Sequence, residues 1–216
     1  MKASLFLVPS VFVGALLACG GSTTSGSGAN GGNSVSGTVA GVTLQASSVI
    51  AALGSSSTSG GCAVEPDGGL GDCTTGTYVQ EVNVVFTNRA DVTCSAIQAL
   101  AAQNLNVEFA NIDYLSVGVN VNGGIVPGTY DVVAGPTNGA VTGAFGGLSG
   151  TNATCVEAPN LAATGGTVTI TAFDGSHVAG SYDLTFGAKG SASGAFNQSI
   201  CAVPEGTTTT GAPVCR

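Results

Sequence analysis

Tryptophan is absent from this 216-residue chain, and basic side chains nearly are. Lys2, Arg89, Lys189 and Arg216 stand against twelve acidic residues, and His177 is the single histidine. Binding a nucleic-acid backbone requires a Lys/Arg surface, so a nucleic-acid partner is disfavoured and none is expected. Electrostatic attraction to anionic lipid is disfavoured for the same reason. One histidine rules out an H-E-x-x-H metalloprotease helix, and the cysteines form no C-x-x-C pair, which leaves zinc poorly served. No G-x-S-x-G elbow occurs, and neither lysine stands in a phosphate-binding loop. With no tryptophan and only four tyrosines, the aromatic platforms that commonly floor sugar clefts are scarce. The aromatics that remain, Phe86, Phe109, Phe173, Phe186, Phe196 and Tyr182, read as core.

A membrane-spanning length of apolar sequence is also missing from the N-terminus. Leu5 to Leu17 is uncharged and mainly apolar, but thirteen helical residues reach only about 20 Å, against a hydrocarbon core of about 30 Å. With Lys2 before it, this is the h-region of a signal peptide. The stretch ends Leu16-Leu17-Ala18-Cys19-Gly20, a lipobox: apolar residues, a small residue that admits a peptidase, and a thiol that receives diacylglycerol. The expectation is a bacterial lipoprotein with residues 1–18 removed, Cys19 lipidated and palmitate among its acyl chains. Each buried methylene contributes about 0.8 kcal/mol, so two or more chains hold firmly. Gly20 stands where lipoproteins of this kind often carry Asp for inner-membrane retention, which points to the outer membrane.

Removing the first 18 of 216 residues and Lys2 with them leaves 198, with three basic and twelve acidic side chains, a formal charge of −9. That length supports one domain with a real core. Gly20 to Ser34 is Gly, Ser, Thr and Asn with one Ala, too polar to offset its chain entropy. Residues 19–34 therefore read as lipidated Cys plus flexible tether, with a reach of about 20 Å. Residues 35–216 read as a single β domain.

Six cysteines remain: Cys62, Cys73, Cys94, Cys155, Cys201 and Cys215. An even number in an exported chain predicts three disulfides, in any of fifteen pairings that sequence does not choose between. Short loops favour Cys62–Cys73 and Cys201–Cys215, leaving Cys94–Cys155.

Period-two alternation dominates from Val35 on. Val35 to Leu44 predicts an opening strand and Ala46 to Leu53 a second, with Gly54 to Gly76 a loop. Tyr78 to Asn88 predicts a strand with Val82, Val84 and Phe86 on one face. Asp91 to Gln103 breaks the pattern: Asp91 is a possible N-cap, and Ile97, Leu100 and Ala101 have helical spacing. Leu105, Val107 and Phe109 alternate again, as do Leu115, Val117, Val119 and Val121, ending in the turn Asn122-Gly123-Gly124. Pro127-Gly128 opens an extended run from Thr129 to Val133. The last third predicts a meander: Thr167 to Phe173 with Val168, Ile170 and Ala172 inward, a turn at Asp174-Gly175, Val178 to Phe186, and Ala192 to Cys201. The fold class is all-β, a mostly antiparallel sandwich or barrel with one short α-helix, stabilised by disulfides.

The segments Gly166-Thr167-Val168-Thr169-Ile170-Thr171, Val178 to Phe186 and Ser193-Gly194-Ala195-Phe196 resemble the C-terminal part of uncharacterised β-rich lipoproteins abundant in myxobacteria and their relatives. Pro127-Gly128-Thr129-Tyr130 and the Cys94 segment are similar in style. The resemblance implies a β-rich envelope protein and no particular activity.

Candidate sites are few. Asp174, Ser176 and His177 sit together in one turn, but a hydrolase triad is assembled on a supported, water-excluding site, not within a hairpin loop. Glu65, Asp67 and Asp72, interleaved with glycines, offer oxygens for Ca²⁺ in a spacing unlike an EF-hand. Otherwise no metal and no cofactor is expected. Asp113, Asp131, Asp174 and Asp183 are the carboxylates a glycosidase-like pair would draw on. The leading expectation is a lipid-anchored envelope protein with a non-catalytic structural or binding role, its partner a protein or small ligand. A barrel carrying an apolar ligand comes next, and a carboxylate-dependent hydrolase last. The lipobox makes one firm prediction: Cys19→Ala moves the protein from the membrane to the soluble fraction and abolishes labelling by a radioactive fatty acid, and retention of both label and membrane attachment refutes it.

Overall fold

The computed structural model describes residues 32–57, 62–64, 70–73, 78–103, 107–133, 142–202 and 214–216. In chain order the elements are β1 (Ser34–Val39), β2 (Val42–Thr43), β3 (Ser48–Ser57), β4 (Cys62–Val64), β5 (Leu70–Cys73), β6 (Tyr78–Thr87), α1 (Cys94–Ala102) and β7 (Val107–Glu108). They continue with β8 (Asp113–Asn122), β9 (Gly128–Asp131), β10 (Gly143–Thr151), β11 (Glu157–Ala162), β12 (Gly165–Phe173), β13 (His177–Thr185), β14 (Gly190–Cys201) and β15 (Val214–Cys215). The class is the one expected from sequence: all-β and mostly antiparallel, with one short α-helix. No helix among the described residues is long and apolar enough to cross a membrane.

One sheet runs β11-β10-β8-β6-β3-β14-β13-β12-β9, with β1 and β2 added beside β14. Every pairing in it is antiparallel except the short contact of β14 with β3. The sheet curls until its ends approach: Val132, just after β9, bridges to Ala144 of β10, and Val133 N donates to Ala144 O at 3.0 Å. Alternate side chains point into this half-barrel, as period two requires. Val82, Val84 and Phe86 of β6, Leu115, Val117 and Val119 of β8, and Val178, Tyr182 and Leu184 of β13 form one contiguous cluster. Phe86 and Tyr182 meet with ring centroids 5.3 Å apart. Burial pushes the Tyr182 phenol above its ordinary range, and its hydroxyl donates to Ser34 O at 3.3 Å.

The inward faces expected for β6, β8 and β13 are those observed. On β12 the face changes partway. A bulge between Ile170 and Ala172 adds a residue, so Ala172 turns outward and Phe173 packs on the core instead. Val35 to Leu44 is not one strand but a hairpin: Ala40 (φ 53) and Gly41 (φ 82) both adopt positive φ, the geometry that a tight two-residue turn between strands requires. The second strand is longer than expected. It continues through Gly54 to Ser57 because each of those residues finds a partner on β6, and the expected loop from Gly54 to Gly76 also contains the β4–β5 hairpin. Alternation from Leu105 to Phe109 yields only the two residues of β7, Val107 and Glu108; residues 104–106 lie outside the described residues. Val132 and Val133 continue beyond β9 as the closing bridge.

The helix starts later than its composition suggests. Thr93, not Asp91, is the N-cap, its Oγ1 accepting from Ala96 N at 3.2 Å. Asp91 is instead held by Arg89, which lowers its carboxyl below the ordinary range. The helix covers the outer side of the sheet, where Ile97 packs on a second cluster of Ile50, Val92, Ile112 and Cys201. Ser48 Oγ donates to Val92 O at 2.6 Å and fixes the approach to it.

Among the described residues two disulfides are formed, Cys94–Cys201 and Cys155–Cys215, each with Cα atoms 5.6 Å apart. They replace the expected short-loop pair Cys201–Cys215 and the remaining pair Cys94–Cys155. The reason is topological: β14 ends beneath the start of α1, and β15 pairs in parallel with β7, beside the Cys155 turn. In the β4–β5 hairpin, Cys62 stands opposite Cys73 in backbone register, the arrangement a Cys62–Cys73 link needs. Cys94–Cys201 spans 107 residues of sequence. Replacing both of its cysteines by serine should lower unfolding stability by about 2–4 kcal/mol, read as a reduced urea midpoint, and an unchanged midpoint overturns that role.

Candidate functional site

Two surfaces of the half-barrel carry polar groups in ordered arrangement. The first is the outside of the β12–β13–β14 meander with β9 and β1. Backbone register puts Asp131, Thr167, Asp183, Ser193 and Ser36 in one row across five strands. Beside it lies the row Thr129, Thr169, Ser181, Ala195 and Ser34. Thr129 and Thr169 join their hydroxyls at 3.0 Å, as do Thr38 and Thr43 at the β1–β2 edge. These side chains point out because their sequence neighbours Val168, Ile170, Tyr182 and Leu184 point in. The result is an open face of hydroxyls and two carboxylates.

This register also locates the four candidate carboxylates. Asp131 and Asp183 flank Thr167, two strand spacings or about 10 Å apart in Cα, on an open sheet and not across a cleft. Asp113 lies on β8, bonded to Asn88 Nδ2 at 3.2 Å. Asp174 closes the β12–β13 turn. Its Oδ1 accepts from Ser176 N at 2.9 Å, Ser176 Oγ at 2.9 Å and His177 N at 2.8 Å. The His177 ring points elsewhere, with Nε2 on Asn197 Oδ1. Ser176, His177 and Asp174 are therefore neighbours whose hydrogen bonds build a turn: the serine hydroxyl is committed to the carboxylate and not to the imidazole.

The second surface is the outside of β3, β6, β8 and β10. Here register assembles a cluster that sequence reading passed over. One row reads Gly54, Glu81, Asn120, Gly143, and the next reads Ala52, Asn83, Gly118, Phe145. Glu81, Asn83 and Asn120 thus share one face, with glycine beside each. Burial pushes the Glu81 carboxyl above its ordinary range. Asn83 Oδ1 is shut off from solvent and has no hydrogen-bond partner. Asn120 is 5 % exposed. The glycines are required by the walls. A Cβ on Gly118 would stand 2.3 Å from Phe145 Cζ, and one on Gly143 would stand 2.4 Å from Val133 Cγ2. Phe145 and Val133 therefore close in on either side of the polar group. In sequence, Glu81 and Asn83 are only the polar half of an alternating strand, and nothing short of register reveals what faces them.

Other candidates lie elsewhere. Cys19 and residues 20–31, expected to form a tether, are outside the described residues, as are Glu65 and Asp67; Asp72 is placed on β5 by its backbone alone. No group of three or more His, Cys, Asp or Glu side chains is gathered among the described residues.

The Asp174 turn has a definite pH signature. Hydrogen bonds from Ser176 backbone and hydroxyl, then from His177, lower the Asp174 carboxyl below the ordinary Asp value. Because the folded value is the depressed one, the turn's contribution is present above the unfolded value and is lost as pH falls through the folded one. Carbon-detected NMR titration should give Asp174 a midpoint below that of an unstructured Asp peptide, and Ser176→Ala should raise it; a midpoint at the peptide value contradicts the turn. In comparisons with known proteins, no family model matches the chain, and neither a curated protein nor a solved structure does.

Proposed function

We propose that this chain is a lipid-anchored protein of the bacterial cell envelope, held through Cys19 at the outer membrane, with a non-catalytic structural or binding role. The observation that supports this reading best is the filled interior of the half-barrel. Phe86, Leu115, Ile170 and Leu184 are at most 1 % exposed and pack in one cluster with Tyr182 and Phe196. A carrier of an apolar molecule keeps an interior cavity of about 300–1,000 Å³ for its cargo. Here aromatic and branched side chains occupy the centre, and the recognition chemistry lies on the outside. The hydroxyl rows of β9, β12, β13, β14 and β1 suit contact with a polar partner.

Native mass spectrometry on protein extracted from its own membrane tests the assignment. The expected mass is lipidated chain with three disulfides, plus at most bound metal. A stoichiometric organic mass beyond the acyl chains refutes the reading in favour of a carrier and gives the class of its cargo.

A further inference from the structure

We propose that Glu81, Asn83 and Asn120 form a binding site for a hard divalent cation, Ca²⁺, on the outer face of the β3–β6–β8–β10 sheet. This goes beyond the envelope role and does not depend on it.

Antiparallel register sets Glu81 directly opposite Asn120, with Cβ atoms about 5 Å apart, and Asn83 follows one pleat along on the same face. The two amide arms and the longer carboxylate arm can bring oxygens to one point at the 2.3–2.6 Å that Ca²⁺ takes. Asn83 Oδ1 is already withdrawn from water without a donor, an arrangement that a bound cation would relieve. Burial disfavours the charged form of the Glu81 carboxyl beside it, a cost that a bound cation would offset.

Among the described residues no Lys or Arg side chain is paired with Glu81. The chain's basic side chains number four, and the segments between the described ones from residue 58 to residue 213 contain no Lys, Arg or His. Arg89 is committed to Asp91 and to the carbonyls of Ala110 and Arg216. Lys189 sits in the β13–β14 turn, where its carbonyl accepts from Ala40 N, and Arg216 is the last residue, paired with Glu108 through its backbone. A bound cation would supply the counter-charge. Oxygen-only ligands of this kind select a hard cation, and flexible side-chain arms without octahedral preorganisation suit Ca²⁺ better than Mg²⁺. One carboxylate places the affinity at the weak end, with Kd about 10⁻⁴–10⁻³ M, the range of extracellular calcium modules.

The test uses lipidated protein extracted in detergent and stripped with EDTA. Thermal unfolding is followed by circular dichroism as Ca²⁺ is raised from zero to about 10 mM, the upper part of that range. The expected result is a saturable rise in Tm that Glu81→Gln abolishes. The variant folds, with a Tm in EDTA equal to or above that of the parent, because it removes a buried charge. Asp67→Asn and Asp72→Asn keep the Ca²⁺ response. No Ca²⁺-dependent rise overturns the proposal. So does a rise that survives Glu81→Gln, since general screening of the acidic chain or the Glu65–Asp72 segment would then account for it.

Discussion

Phe86, Leu115, Tyr182 and Leu184 come from strands far apart in sequence and meet inside one curved shell. That meeting sets the limits on everything else. A sheet can curl around so few large side chains only if its strands alternate faithfully, and a slip of one residue would turn each apolar set to the outside. It also requires small residues where strands crowd the centre. Gly146 of β10 is such a place: a Cβ there would stand 2.5 Å from Leu184 Cδ1. The glycine content of this chain is thus partly a packing requirement and not only a feature of turns and tether.

What was legible in the sequence followed from this alternation. Val82, Val84 and Phe86, the run Leu115 to Val121, and Val178, Tyr182 and Leu184 announce their faces because each strand is half-buried and regular. β10 did not announce itself. Gly143, Gly146, Gly147 and Gly150 have little preference for a strand, and only the neighbouring β8 and the Leu184 side chain explain why the chain is extended there. The bulge on β12 was equally hidden, because an added residue changes the face without changing the composition.

The pairings Cys94–Cys201 and Cys155–Cys215 and the polar cluster were illegible for a shared reason. Both depend on which strands become neighbours. Proximity in sequence suggested Cys201–Cys215, but β14 carries Cys201 to the start of α1, and the C-terminal strand carries Cys215 to the turn at Cys155. Glu81 and Asn83 likewise look like ordinary solvent-side residues of an alternating strand. Only the register with β8 and β3 shows them among glycines and opposite Asn120. Cysteine count and strand periodicity are local properties, whereas pairing is a property of the sheet.

The position of β1 has a mechanical consequence. A pull on the chain from its N-terminal side, as the proposed lipid anchor would exert, meets β1 at Ser34, where β1 lies along β14 over six residue pairs. Load enters the sheet there, and a force large enough to part the two strands would peel the chain from its N-terminal end. Unravelling from that end reaches Cys94 and stops, because the bond to Cys201 fastens the chain to the far end of the same β14. The covalent link thus acts as a stop. It caps the slack that tension can draw from the N-terminal side at the residues before Cys94, and from there the load passes into β14 at Cys201.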